Sequence, residues 1–188
     1  TTLEFETETL KNFILHDIDR RKEFPSEPVM FEKTFGYGGD ESMAPYRHNI
    51  DENTFEFTGK IDRVDKIISD NHDAYVAIDY KGSLDDIKNR PKNKADFGDF
   101  QIPIYLLALQ SNGYPVAGGF YYSVNDGKQF MGFFEPENPE TSQNKLHDFK
   151  DELNERLKNM LEGDFSVTPS ETGCKNCEYS GLCRLAYM

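Results

Sequence analysis

The segment YVAIDYK, residues 75–81, begins as a strand with Val76 and Ile78 and then places Asp79 and Lys81 two positions apart. Side chains two apart in a strand share a face, so a carboxylate and an ammonium stand side by side there. Upstream, Asp62 lies within FTGKIDRVD. The runs FEFTGKIDRVDKIIS and HDAYVAIDYK flank Asp70–Asn71, which reads as the turn of a hairpin. A turn centred there pairs Asp62 with Asp79, both on one face. Opposed carboxylates on neighbouring strands repel, and a cation between them removes the repulsion. Two acids and a lysine so arranged could hold a hard metal ion and activate water, the chemistry of a metal-dependent hydrolase. Taken alone, the Asp79–Lys81 pair also fits a surface ion pair worth ~0.5 kcal/mol. Asp65 falls on the opposite face by alternation and reads as a solvated charge near a strand end.

The elements that must carry these residues are legible as a series. Residues 8–24 carry Leu10, Phe13, Ile14 and Ile18 at helical spacing. FPSEP breaks that pattern, and VMFEKTFGYGG reads as a strand running into a glycine turn. The long strand FEFTGKIDRVDKIIS and its partner follow. FQIPIYLLALQSNG reads as a helix, with Asp99 as N-cap, Pro103 in the first turn and Gly113 as the stop. VAGGFYYSV and QFMGFFE form a second strand pair around Asn125-Asp126-Gly127. SQNKLHDFKDELNERLKNMLEG is an amphipathic helix with Leu146, Phe149, Leu153, Leu157 and Met160 on one stripe. The sum is one α/β domain with a mixed or antiparallel central sheet flanked by helices.

The chain has 188 residues, 37% hydrophobic and 29% charged, the balance of a globular domain with a real core. No apolar run approaches a membrane span, so no membrane partner is expected. Three cysteines, an odd number, favour a reducing, cytoplasmic compartment over a secreted disulfide scaffold. The formal charge of −13 disfavours a simple basic nucleic-acid-binding module, so contact with phosphates needs cations, a local basic patch or a basic partner. No phosphate-cradling P-loop, HExxH pair or GxSxG elbow is present, which removes the main support for ATPase, zincin and serine-hydrolase readings.

GKIDRVD, then AIDYK, then QIPIY, with cysteines trailing, resembles the RecB-type nuclease domains of the PD-(D/E)XK superfamily, most of all those of AddB-like subunits and related Cas nucleases. The likeness runs from about residue 28 to residue 184 and implies a restriction-endonuclease-like core. It implies Asp62 and Asp79 as ligands of Mg²⁺ or Mn²⁺, with the Tyr80 backbone carbonyl as a third oxygen. It implies Lys81 as the lysine that positions the attacking water. Gln101 and Tyr105 match the family's Q-x-x-x-Y signature, and their spacing of four puts both on one helical face. The plain alternative for Tyr105 is a core tyrosine with a satisfied hydroxyl. The function implied is a DNA nuclease of repair or recombination, an exonuclease fed single strands by a helicase subunit or a fused helicase-like region. A non-catalytic DNA-binding or scaffolding module that keeps the fold is the alternative, and a CRISPR-adaptation nuclease is a third.

KNRPKNK packs Lys88, Arg90, Lys92 and Lys94 into a short stretch of an acidic chain, between the two motif segments. It fits a phosphate grip and a solvated loop about equally. Cys174, Cys177 and Cys183 form C-x2-C-x5-C, a spacing that can present thiolates to one metal centre. The family likeness makes them three of four ligands of a [4Fe–4S] cluster. With no fourth cysteine in the chain, an intact cluster is not expected here; zinc with a borrowed histidine and free thiols are the alternatives. The family's early helix bears a metal-associated histidine whose surroundings His16 lacks. The expectation is therefore one nuclease domain over 1–188, truncated at its N-terminus, with a cysteine-bearing tail at 172–188.

Overall fold

The structure, a computed structural model, describes residues 2–68, 73–83, 100–130, 139–166, 174, 177–179 and 181–183. The elements in chain order are α1 (Thr2–Glu23), β1 (Ser26–Phe35), β2 (Tyr46–Ile50), β3 (Asn53–Phe57), β4 (Gly59–Ile67), β5 (Tyr75–Lys81), α2 (Gln101–Ser111), β6 (Val116–Ser123), β7 (Lys128–Phe130) and α3 (Pro139–Leu161). Five strands form a mixed sheet in the order β1-β4-β5-β6-β7, and β2 pairs with β3 apart from it. Within the large sheet β5 and β6 run parallel and the other neighbours antiparallel. This is the mixed sheet flanked by helices that the sequence predicts.

Alternation along β5 sorts its side chains to two faces. Val76 and Ile78 pack with Phe120 and Tyr122 on the α1 side, while Ala77 joins the larger core with α2 and α3. β4 and β5 pair as Arg63↔Ile78, Val64↔Ala77, Asp65↔Val76 and Lys66↔Tyr75. That is the predicted register, in which Asp62 is the next residue opposite Asp79; the turn at 69–72 itself lies outside the described residues.

α2 is buried from Ile102 to Leu109, as befits a helix apolar on all sides wedged between sheet and α3. Each such aliphatic side chain contributes about 1.5–3 kcal/mol on burial. The approach to the sheet is close at Gly119, where a Cβ would lie 2.8 Å from the Ala77 carbonyl and 2.9 Å from Ile102 Cγ2. Only a missing side chain permits that contact. Pro103 sits in the first turn and Gly113, at φ +85°, follows the helix end, as predicted. The N-cap is Phe100, without a side-chain bond, and not Asp99, which lies outside the described residues. On α3, Leu146, Phe149, Leu153 and Leu157 are buried as predicted, but Met160, near the helix end, is 50% exposed.

Three further expectations need correction. The predicted long strand is two strands, β3 and β4, broken at Thr58. Its alternation of Phe55, Phe57 and Ile61 runs through the break, so pattern alone does not mark it. Second, α1 does not bury its aliphatic stripe: Leu10, Ile14 and Ile18 are exposed, and the helix meets the sheet through Phe13, Asp17 and Arg20. Third, Asp65 does lie on the face opposite the candidate site, but it is fully buried and not solvated. Arg63 bonds it through Nε (2.5 Å) and Nη2 (2.8 Å), and Arg20 Nη2 reaches it at 2.7 Å. Asp17 closes the cluster, accepting from Arg63 Nη1 at 3.0 Å and Arg20 Nη2 at 2.9 Å. The Arg20 guanidinium also lies 5.6 Å from the centre of the Phe120 ring.

Burial pushes the Asp17 carboxyl up, but the bonds and charges of Arg63 and then Arg20 outweigh it and hold the group below its ordinary 3.8. A lowered carboxylate stabilises the fold above that value and loses its contribution as pH falls through the folded value. Asp17→Asn should therefore lower the urea midpoint at neutral pH, with the gap to the wild type closing in acid. Asp65→Ala leaves the buried Arg63 and the largely buried Arg20 sharing the carboxylate of Asp17 alone and should cost about 3–5 kcal/mol in the same unfolding measurement at neutral pH.

Candidate functional site

The site forms where β5 ends beside the first turn of α2. Asp79 and Lys81 both point to the α2 side, and their carboxylate and ammonium form a salt bridge between Oδ2 and Nζ. Asp79 is 1% exposed, so its charge is held in the protein and not in solvent. Such a charge persists only when partners replace its hydration. Gln101, the first residue of α2, does so with an amide that both donates and accepts. Its Nε2 donates to Asp79 Oδ1 at 2.6 Å and to Tyr105 Oη at 2.8 Å, and its Oε1 accepts from Lys81 Nζ at 3.1 Å. A glutamate there could not donate to Asp79, and a lysine could not accept from Lys81.

Asp62 reaches the same place from β4, where its Oδ2 accepts the Tyr80 backbone N–H at 3.0 Å. Burial pushes the Tyr105 hydroxyl up to about 12; the Gln101 bond opposes this, and the charges of Asp79 and Asp62 add to it. The phenol thus stays protonated at neutral pH, in the field of both aspartates. The structure brings Asp62, Asp79, Lys81, Gln101 and Tyr105 together on one face, and Tyr80 joins through its backbone while its ring packs against Phe13 on the other.

Tyr121 is the residue that sequence reading passes over. It is the parallel partner of Asp79 on β6, and the Lys81 ammonium lies 5.1 Å from its ring centre. A cation over an aromatic face is held without being neutralised. The end of β5 is pinned as well, by Val124 N–H to the Lys81 carbonyl at 2.9 Å and Asn125 N–H to the Gly82 carbonyl at 3.1 Å.

The carboxylates brought together here for a metal are those of Asp62 and Asp79, to which the family likeness adds the Tyr80 carbonyl. Among the described residues, no group of three or more His, Cys, Asp or Glu forms a metal site. Two carboxylates and a carbonyl nonetheless suit Mg²⁺ or Mn²⁺, hard ions that take oxygen and complete their shell with water and phosphate oxygens. They do not suit a soft ion.

Lys88, Arg90, Lys92 and Lys94 lie outside the described residues. Cys174, Cys177 and Cys183 are free thiols, the first exposed and the others half-buried. Local turns shape that tail, with Cys177 N–H to the Cys174 carbonyl at 3.3 Å and Cys183 N–H to the Tyr179 carbonyl at 2.9 Å. His16 is exposed on α1, against the turn at Gly127 and away from the site. Among the described residues no helix is long and apolar enough to cross a membrane.

Titration calorimetry with Mn²⁺ should detect binding that Asp79→Asn abolishes. Gln101→Leu removes the group that orients Asp79 and should weaken the ion about 10–100-fold. Unchanged affinity in both variants would place the ion elsewhere.

Residues 4–184 match the family model of the PD-(D/E)XK nuclease superfamily. A search of the curated proteins returns no match.

Proposed function

Since the chain belongs to the PD-(D/E)XK nuclease superfamily, we propose that it hydrolyses phosphodiester bonds of DNA, using Mg²⁺ or Mn²⁺ held by Asp62, Asp79 and the Tyr80 carbonyl. The observation that carries this reading is the Gln101 amide, bonded at once to Asp79, Lys81 and Tyr105. A decayed site has no need of that three-way connection. When bound, the ion supplies Lewis-acid charge that offsets the phosphate oxyanions and lowers the barrier to attack by water.

The chain's own groups divide the remaining work. Lys81 presents a fixed positive charge to the phosphate and to the incoming water, and it is already desolvated and aimed before substrate arrives. With a divalent ion held on the Asp79 carboxylate, the Lys81 ammonium would be free to turn from that salt bridge to the phosphate. Gln101 holds both groups in register during that exchange. Tyr105, kept protonated, remains a donor to any oxygen that approaches.

Within the superfamily, the cysteine spacing and the order of motifs support a RecB/AddB-like domain acting in repair or recombination in the cytoplasm. It would act as an exonuclease on strands delivered by a helicase subunit or a fused helicase-like region. Lys88, Arg90, Lys92 and Lys94, between the two motif segments in sequence, would then offer phosphate contacts. Cys174, Cys177 and Cys183 would supply three thiolates toward a [4Fe–4S] cluster whose fourth ligand comes from elsewhere.

Cleavage of labelled single-stranded DNA should require added Mg²⁺ or Mn²⁺ and stop on chelation. Lys81→Ala should cut the rate by about 10²–10³ while leaving Mn²⁺ binding in place. Equal cleavage by wild type and variant would sink the assignment.

A further inference from the structure

α1 has two faces of opposite character. Phe13, Asp17 and Arg20, at i, i+4 and i+7, meet the sheet through Tyr80 and Tyr122, Arg63 and Asp65. The surface turned away from them is aliphatic: Leu10 is 54% exposed, Ile14 55%, Leu15 59% and Ile18 39%. Leu10, Ile14 and Ile18 follow one another at four-residue steps along the helix, and Leu15 widens the strip at its middle. Among the described residues nothing covers it. A contiguous aliphatic strip in open solvent marks a contact surface.

The charges around the strip say what fits it. Glu8 stands before it, Lys22 after it, and Lys11 and Asp19 lie along it, all four exposed. A second α1 laid antiparallel on the first, with a two-fold axis at Ile14 and Leu15, places residues equally far from the axis opposite each other. Leu10 then faces Ile18 of the second copy, and Ile14 faces its own equivalent. Glu8 faces Lys22, and Lys11 faces Asp19.

Asp19 and Lys22 already bond within one helix, Nζ to Oδ1 at 2.7 Å. Across the axis that bond extends into an alternating row of Glu8, Lys22, Asp19 and Lys11, the outer two from the second copy. A parallel arrangement would instead set Glu8 on Glu8 and Lys22 on Lys22, which repels. The face is therefore its own complement when inverted, the property that an isologous contact requires. In a chain of net charge −13, copies repel in most orientations, but here acids meet bases.

We propose that α1 is the contact through which two copies of this chain pair, antiparallel, about a two-fold axis at Ile14 and Leu15. The contact lies on the α1 side of the sheet, whereas Asp62, Asp79 and Lys81 gather on the α2 side. Both candidate sites stay open in the pair, and the inference does not rest on the nuclease reading. One helix face is a small interface, so pairing belongs to the micromolar range.

Sedimentation equilibrium of the chain from about 1 to about 200 µM should show the mass rising toward twice that of the monomer. Ile14→Asp should stay monomeric over that range with an unchanged thermal midpoint, because Ile14 is already exposed in the single chain. Glu8→Lys and Lys22→Glu should each weaken pairing about tenfold by setting like charges together, and the double variant should regain most of it. That rescue is specific to an antiparallel second copy. A wild type monomeric at every concentration, which would leave the strip to a different partner, overturns the proposal. So does a dimer indifferent to Ile14→Asp, or a double variant that pairs more weakly than either single one.

Discussion

The register between β4 and β5 is the constraint on which the site rests. Strand side chains alternate, so a slip of one residue would turn Asp62 to the α1 side and bring Arg63 and Asp65 to the α2 side. Apolar burial on β4 would resist that slip weakly, since its charged positions outnumber its aliphatic ones. The buried cluster of Asp17, Arg20, Arg63 and Asp65 resists it strongly. Slipped by one residue, both charges on β4 would be buried without their partners on α1, at a cost of several kcal/mol per ion. The ion cluster behind the sheet thus fixes the carboxylates in front of it. Tyr80 adds a direct link, its hydroxyl bonded to Arg63 at 3.2 Å and its N–H to Asp62 at 3.0 Å.

The two faces of β5 treat charge differently. Behind the sheet, two arginines saturate two aspartates and α1 covers them, an arrangement suited to holding still. In front, Asp79 bonds Lys81 and the Gln101 amide, and Lys81 keeps 15% of its side chain exposed. Here the charges are satisfied by groups that can exchange partners. The aromatic ring of Tyr121 supports Lys81 without neutralising it.

The strongly acidic chain and the phosphate chemistry of its superfamily fit together through that local arrangement. A net charge of −13 repels nucleic acid at long range. At the site, Lys81 and a bound divalent cation would supply positive charge to a phosphate despite that net charge.

The sequence by itself determined most of the elements and the β4–β5 register, which depend on local pattern: alternation along the strands and helical periodicity. It also brought Asp62, Asp79 and Lys81 to one face by that register, while Gln101 and Tyr105 were singled out by the family likeness; β2 was not read at all. The sequence did not determine the break at Thr58, because alternation continues across it, nor the exposed stripe of α1, because periodicity identifies an apolar face without saying what covers it. Asp65 looked solvated because Arg20, whose guanidinium reaches its carboxylate from α1, lies 45 residues upstream. Tyr121 was invisible for the same reason, since parallel pairing of β5 with β6 is set by the intervening helix and not by a turn. Tertiary structure alone decided what surrounds each charge: a buried charge depends on partners distant in sequence, which local pattern cannot supply.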